Sequence, residues 1–167
     1  MAYTLEQLSA DIRTTLGADP GPAGQRAVCA FVSKALVDQD FIARHLTSEA
    51  CKPRHVLYED PELGFCVCGH VYEKASTGGP HDHGSSWAIY GLAVGETEMT
   101  DWRVVQPGDG ETPKLVEPMR KYTLKPGDAH FYDVGMVHSP KFDGLTKLIR
   151  VEGANLDRIK RSNIKAA

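Results

Sequence analysis

Three histidines carry the most chemical information in the chain. His81 and His83 stand one residue apart in Gly78-Gly79-Pro80-His81-Asp82-His83-Gly84, and His138 ends the run from Pro126-Gly127-Asp128 through Gly135-Met136-Val137. In an extended strand, residues i and i+2 project from the same face. His81 and His83 therefore present two imidazoles side by side, as two cis ligands of one ion would stand, while Asp82 points away. An antiparallel partner strand can bring His138 beside them. Neutral imidazole suits first-row transition metals, so the expected site is a single metal ion on His81, His83 and His138. The chain has seven histidines, so a lone His-x-His says little. The combination with a glycine turn, Pro-Gly-Asp and Gly-x-x-His is the specific signal.

Other reactive residue types lack comparable settings. Ser85 and Ser86 stand in no Gly-x-Ser-x-Gly context, which argues against serine hydrolysis. Cys29, Cys51, Cys66 and Cys68 form no Cys-x-x-Cys pair and are expected as free thiols. Cys66 and Cys68 share a strand face and read as small core residues. His130 is a weaker candidate near the metal, with a supporting or surface role expected. Tyr90 follows the histidine pair and is expected to line the interior.

These residues need a scaffold of strands. Residues 1–50 read as helical: Leu5, Leu8, Ile12 and Leu16 recur at helical spacing, Thr4 and Gln7 form a capping box, and Asp19-Pro20-Gly21-Pro22 breaks the helix. A longer helix is predicted over about residues 23–46. After Pro53, short apolar runs alternate with turn clusters. Strands are predicted at 56–58, 65–72, 79–83, 86–94, 96–105, 120–124, 129–133, 139–142 and 147–152. Many short, evenly spaced strands suggest a sandwich or barrel. The expected organisation is one domain: a helical cap over 1–50, a β-barrel over 54–152 and a tail over 153–167, with a closing helical turn at 155–162.

Bulk properties narrow the function classes. A chain of 167 residues with 41% hydrophobic and 25% charged residues is of ordinary globular composition. A net charge of −3 without a long basic run argues against nucleic acid or an anionic membrane as the main partner. The basic cluster at 158–165, beside Asp157, reads as a solvated helix face. No stretch approaches the ~18–20 apolar residues that span a bilayer. The N-terminus has no uninterrupted apolar segment of the secretory kind, so the expectation is cytoplasmic.

The two histidine segments resemble the motifs of the cupin superfamily, which implies a mainly β fold: a double-stranded β-helix, or jelly-roll barrel, here with its N-terminal helical cap. The common cupin pattern adds a glutamate four or five residues after the second histidine, where this chain has Trp87 and Ala88. A carboxylate ligand from that place is therefore absent. Three imidazoles and open coordination positions remain for water, substrate or dioxygen.

Within that superfamily, the run HDHGSSWAIYGLAVGETEMTDW is similar to the first motif of the cysteine dioxygenase-like group, and the similarity extends over about residues 54–152. It implies Fe(II) on His81, His83 and His138, and Arg54 as the group that holds a substrate carboxylate through its planar fork. The Ser-His-Tyr relay of that group is not matched, since its positions hold Leu148, Arg150 and Glu152. Ala88 stands where some members carry a cysteine that crosslinks to the tyrosine. Arg150 and Glu152 share a strand face and can replace the relay with a charge pair that binds an anionic substrate. The stretch 148–158 also resembles predicted metal-dependent enzymes of the double-stranded β-helix superfamily.

The leading expectation is a non-haem Fe(II) dioxygenase acting on a small anionic substrate, with Arg54, Arg150, Glu152 and Tyr90 around the metal. Two alternatives stand beside it. One is Lewis-acid chemistry on Zn, Ni or Mn; the other is a non-catalytic metal-binding or sensor module. Pairing through an edge strand would give a homodimer.

Overall fold

The computed structural model describes residues 2–51 and 54–167. Pro53, where the helical pattern gives way to strands, and the side chain of Cys51 lie outside the described residues.

The chain opens with α1 (Leu5–Ala18). Its start is the predicted capping box: Thr4 accepts from the Gln7 amide and Gln7 accepts from the Thr4 amide, satisfying two otherwise orphaned donors. Leu8, Ile12 and Leu16 form its buried stripe. Pro22 then begins α2 (Pro22–Leu36), where a missing amide proton costs nothing.

The predicted helix over 23–46 is in fact two. Asp38 accepts hydrogen bonds from the Asp40 and Phe41 amides, both at 3.0 Å, and so caps a new helix, α3 (Gln39–His45). An apolar stripe continuing past Val37 concealed that cap. A single turn, α4 (Ser48–Cys51), follows.

Among the described residues ten strands come next: β1 (His55–Glu59), β2 (Cys66–Tyr72), β3 (Ser76–Thr77), β4 (Ala88–Val94), β5 (Thr97–Gln106), β6 (Lys114–Leu124), β7 (Ala129–Tyr132), β8 (Val137–Phe142), β9 (Thr146–Glu152) and β10 (Ile164–Ala166). They form two five-stranded sheets, ordered β1-β2-β9-β4-β7 and β10-β6-β5-β8-β3. The sheets face each other across Tyr90, Leu92, Tyr132 and Leu148 of the first and Met99, Leu124 and Phe142 of the second. This is the expected mainly β double-stranded β-helix with a helical N-terminal cap.

The helices cover the outer face of the first sheet. Leu8, Ile12, Val28, Val32 and Leu36 pack on Val67, Ile89, Phe131, Ile149 and Val151. That sheet is thus buried on both faces, which explains why β2 and β4 read as nearly continuous apolar runs. Gly91 makes the close approach feasible, because a Cβ there would lie 2.6 Å from Val32 Cγ1 and 2.8 Å from Leu36 Cδ1. A second tie is ionic: Arg13 of α1 reaches Asp60 at 2.7 Å, and Asp60 also accepts from the Glu62 and Leu63 amides.

Three further sequence expectations need correction. The segment 79–83 is not a strand; His81 forms a single isolated bridge to His138. Strand β6 begins at Lys114, well before residue 120, and accommodates Pro118 where the pairing with β5 shifts register after Asp101, as proline in a sheet requires. The C-terminal segment is not a helix face. A short 3-10 turn (Leu156–Arg158) leads to β10, which runs parallel to β6.

Candidate metal centre

His138 lies on β8, with its neighbours Pro140 and Phe142 at i+2 and i+4 also facing the interior. His81 is placed opposite it by reciprocal backbone hydrogen bonds, each 3.0 Å. His83 follows two residues later. Between them Asp82 points away, as expected, and is fully buried. It accepts hydrogen bonds from the Gly84 amide at 3.0 Å and the Ser162 amide at 3.2 Å, and Lys114 Nζ lies 3.4 Å away. Burial alone would raise the Asp82 carboxyl, but hydrogen bonds from Ser162 and Gly84 hold it below its ordinary value. The histidine arm is therefore fastened to the C-terminal tail by its middle residue.

One ring nitrogen from each of His81, His83 and His138 lies within 4.8 Å of the others. Ring centroids are 5.6 Å apart for His81–His83, 4.7 Å for His81–His138 and 4.9 Å for His83–His138. Two tautomers follow from their partners. His81 Nδ1 contacts the Gly79 carbonyl at 2.9 Å and His138 Nδ1 contacts the Met136 carbonyl at 3.2 Å. A carbonyl only accepts, so each Nδ1 carries the proton, and in a neutral ring Nε2 keeps its lone pair. His83 Nε2 is buried with no hydrogen-bond partner. Burial, then the charges of Arg150, His81 and Arg161, push His83 down to about 2. Burial likewise lowers His81 and His138. The rings are thus neutral near pH 7. Two Nε2 lone pairs, on His81 and His138, and the orphaned buried Nε2 of His83 form a set that could hold a metal ion.

Tyr132, fully buried, stacks on the His138 ring at 3.8 Å and 19°. Its hydroxyl lies 2.6 Å from that of Tyr122, which donates to Asp101. His130 packs against Tyr122 and Tyr132. It is not among the three convergent groups and stands behind Tyr132.

The histidines form one wall of a cavity of about 520 Å³. The same cavity is lined by Arg54, Arg150 and Arg161, and Tyr72, Tyr90, Phe142 and Leu148 supply aromatic and aliphatic surface. Arg54, Arg150 and Tyr90 thus face the cavity that the sequence associated with them. Tyr90 is buried, its hydroxyl 3.3 Å from Thr97 Oγ1.

Glu152 does not line the cavity. It lies beneath the arginines, fully buried, and binds both: Arg54 through Nε at 3.2 Å and Nη2 at 2.7 Å, Arg150 through Nε at 2.8 Å and Nη2 at 2.7 Å. Burial would raise its carboxyl, but the Arg54 hydrogen bond and the charges of Arg150 and Arg54 outweigh that and keep it ionised. Arg54 is further committed, with Nη1 on Asp157 at 2.7 Å. It bridges two carboxylates instead of presenting a free fork. Arg150 keeps Nη1 uncommitted, and Arg161 makes no salt bridge among the described residues.

Sequence reasoning passed over three lining residues. His70 and Tyr72 continue the inward face of β2 on which Cys66 and Cys68 lie, so the same i, i+2 parity was a usable signal. Arg161 had none, because it sits in an aperiodic tail.

No protein-family model matches the chain, and no curated protein matches it. Solved structures do. An uncharacterized conserved protein with a double-stranded β-helix domain from Klebsiella pneumoniae aligns at 18% identity and TM-score 0.47, over 66% of this chain and 77% of that one. KdgF from a Halomonas species aligns at 18% identity and TM-score 0.45, over 59% and 74%. The DMSP lyase DddQ from Ruegeria pomeroyi aligns at 15% identity and TM-score 0.47, over 70% and 54%. Among the described residues, no helix is long and apolar enough to cross a membrane.

Proposed function

We propose that this chain is a metal-dependent enzyme of the cupin type, a non-haem Fe(II) dioxygenase acting on a small anionic substrate. The carrying observation is the convergence of His81, His83 and His138 in a cavity that three guanidinium groups also line. An ion on three neutral imidazoles supplies Lewis acidity and, as iron(II), the capacity to bring dioxygen and substrate together.

The protein's own residues do the remainder. Arg150 offers donors to an anion while Glu152 fixes its guanidinium from behind. Tyr72, Tyr90, Phe142 and Leu148 give the substrate's carbon skeleton an apolar surface and restrict water. The Arg150–Glu152 pair occupies the places where thiol dioxygenases have their relay, so the substrate is read by charge and the reaction is not tied to thiols. Imidazole does not choose sharply among Fe, Zn, Ni and Mn. A Lewis-acid reaction on one of the latter is therefore the second reading, favoured by the missing relay tyrosine.

Anaerobic loading with each metal, metal analysis and oxygen-uptake assays on a panel of small acids test both. Iron-dependent, substrate-linked oxygen uptake is expected. Iron-replete protein without it would rule out the dioxygenase, and protein that retains no metal would rule out both readings.

A further inference from the structure

The C-terminal tail is fastened to the histidine arm on both sides of one residue. On one side, the Ser162 amide donates to Asp82, which lies between His81 and His83. On the other, Lys160 packs on Gly84, where φ is +62° and a Cβ would lie 2.6 Å from the Lys160 carbonyl oxygen. Both contacts require their residue types: an acceptor at 82 and a residue at 84 that tolerates positive φ without a side chain. Arg161 sits between them and lines the cavity with the three histidines.

The charges around the cavity do not balance. Glu152 is the one buried carboxylate that serves Arg54 and Arg150, and Arg54 also takes the exposed Asp157. Arg161 has no carboxylate partner among the described residues. The cavity that the three histidines line also receives uncommitted guanidinium donors from Arg161 and from Nη1 of Arg150.

We infer that Arg161 is a specificity-determining residue, which with Arg150 receives a second anionic group, so that the preferred substrate is a small dianion. One anionic group faces the histidine wall and the other the guanidinium pair, whose planar forks match carboxylate or phosphoryl oxygens. This deepens the metal-centred reading and rests on it for the first group, whereas the Arg161 contact to the second stands independently of any ion.

The test is calorimetric titration of the full chain, metal-loaded and metal-free, with succinate, 3-phosphonopropionate and butyrate. At least one dianion is expected to bind about tenfold or more tightly than butyrate. In the metal-loaded chain Arg161→Gln is expected to remove about tenfold of the dianion affinity while changing butyrate affinity less than about twofold, and in the metal-free chain it is expected to weaken both. Arg161→Lys, which keeps the charge without the fork, is expected to fall between. In the metal-loaded chain, equal affinity for dianions and butyrate, no detectable dianion binding, or an undiminished preference in Arg161→Gln would each overturn the inference, as would unchanged anion binding by metal-free Arg161→Gln. Metal content is measured on the same samples. A chain that takes up no metal refutes the metal reading, and the Arg161 contact is then scored by the metal-free titration.

Discussion

His81 and His138 exchange both of their backbone hydrogen bonds, so two candidate ligands from distant parts of the chain stand directly opposite each other. Side chains of such a pair share one face of the ladder. The backbone therefore sets the spacing of these two imidazoles before any ion is present.

His83 is the candidate ligand whose buried Nε2 has no hydrogen-bond partner. An unsatisfied buried polar atom costs roughly 1–3 kcal/mol. His83→Leu should thus reduce bound metal to trace levels, yet leave the metal-free protein as stable as the native chain or slightly more so. Metal analysis and urea unfolding on the same preparations check this. A large loss of metal-free stability would mark His83 as a packing residue instead.

Glu152 is expected to be the costliest polar residue to neutralise. Glu152→Gln keeps the shape but leaves Arg54 and Arg150 without their shared buried carboxylate. Breaking a buried ion pair from one side typically costs about 3–5 kcal/mol. Urea unfolding should show a loss of this order. A change under about 1 kcal/mol would mean that water readily replaces the carboxylate.

Asp60 gives the fold an acid limb. Burial raises its carboxyl, but the Leu63 amide, Arg13 and the Glu62 amide overcome this and hold it at about 2, against an ordinary value of 3.8. A carboxyl with a depressed folded-state pKa contributes stability that is complete above the unfolded value. That contribution fades as pH falls from about 3.8 towards 2. It amounts to something on the order of 2 kcal/mol. Asp60→Asn should be less stable at pH 6 and should lose the part of the pH slope that lies in this window. Parallel unfolding curves from pH 2 to 6 would decide it, and an unchanged slope would contradict the assignment.

Gly91 separates the support of the helical cap from the metal centre. Gly91→Val places side-chain atoms where Val32 and Leu36 already are. Overpacking of this sort costs typically about 1–3 kcal/mol. Thermal unfolding should shift downwards while metal content per chain stays at the native level, since residue 91 faces the helices. Loss of metal together with stability would show that the cap and the site are coupled.

The histidine triad was legible because the i, i+2 histidine spacing and the turn chemistry are local signals, although 79–83 forms only a single bridge and not the expected strand. Strand parity likewise placed Arg150 and Glu152 on one face. What the parity could not convey is depth: Arg150 reaches the cavity, whereas Glu152 ends beneath it. The break at Asp38 was hidden because a capping side chain competes with an apolar stripe that continues beyond it. Pro118 concealed the first half of β6, since its compatibility with a strand depends on a register shift set by the partner. Arg161 was illegible for a different reason. Its position is fixed by Asp82 and Gly84, far away in sequence, and no periodicity in the tail reports that contact.

Strand β9 is hydrogen-bonded along both edges, to β2 and to β4, and is covered by the helices on one side and the opposing sheet on the other. Its amides should be among the last to exchange with deuterium, opening only with global unfolding. The His81–His83 arm is held by fewer bonds, the reciprocal pair between His81 and His138, the Gly78 amide on the Pro140 carbonyl and the Ser162 amide on Asp82, so its amides should exchange sooner than those of β9. Arg150 on β9 is then the anvil of the cavity, and any adjustment on ligand binding is expected in the histidine arm before the protected strand.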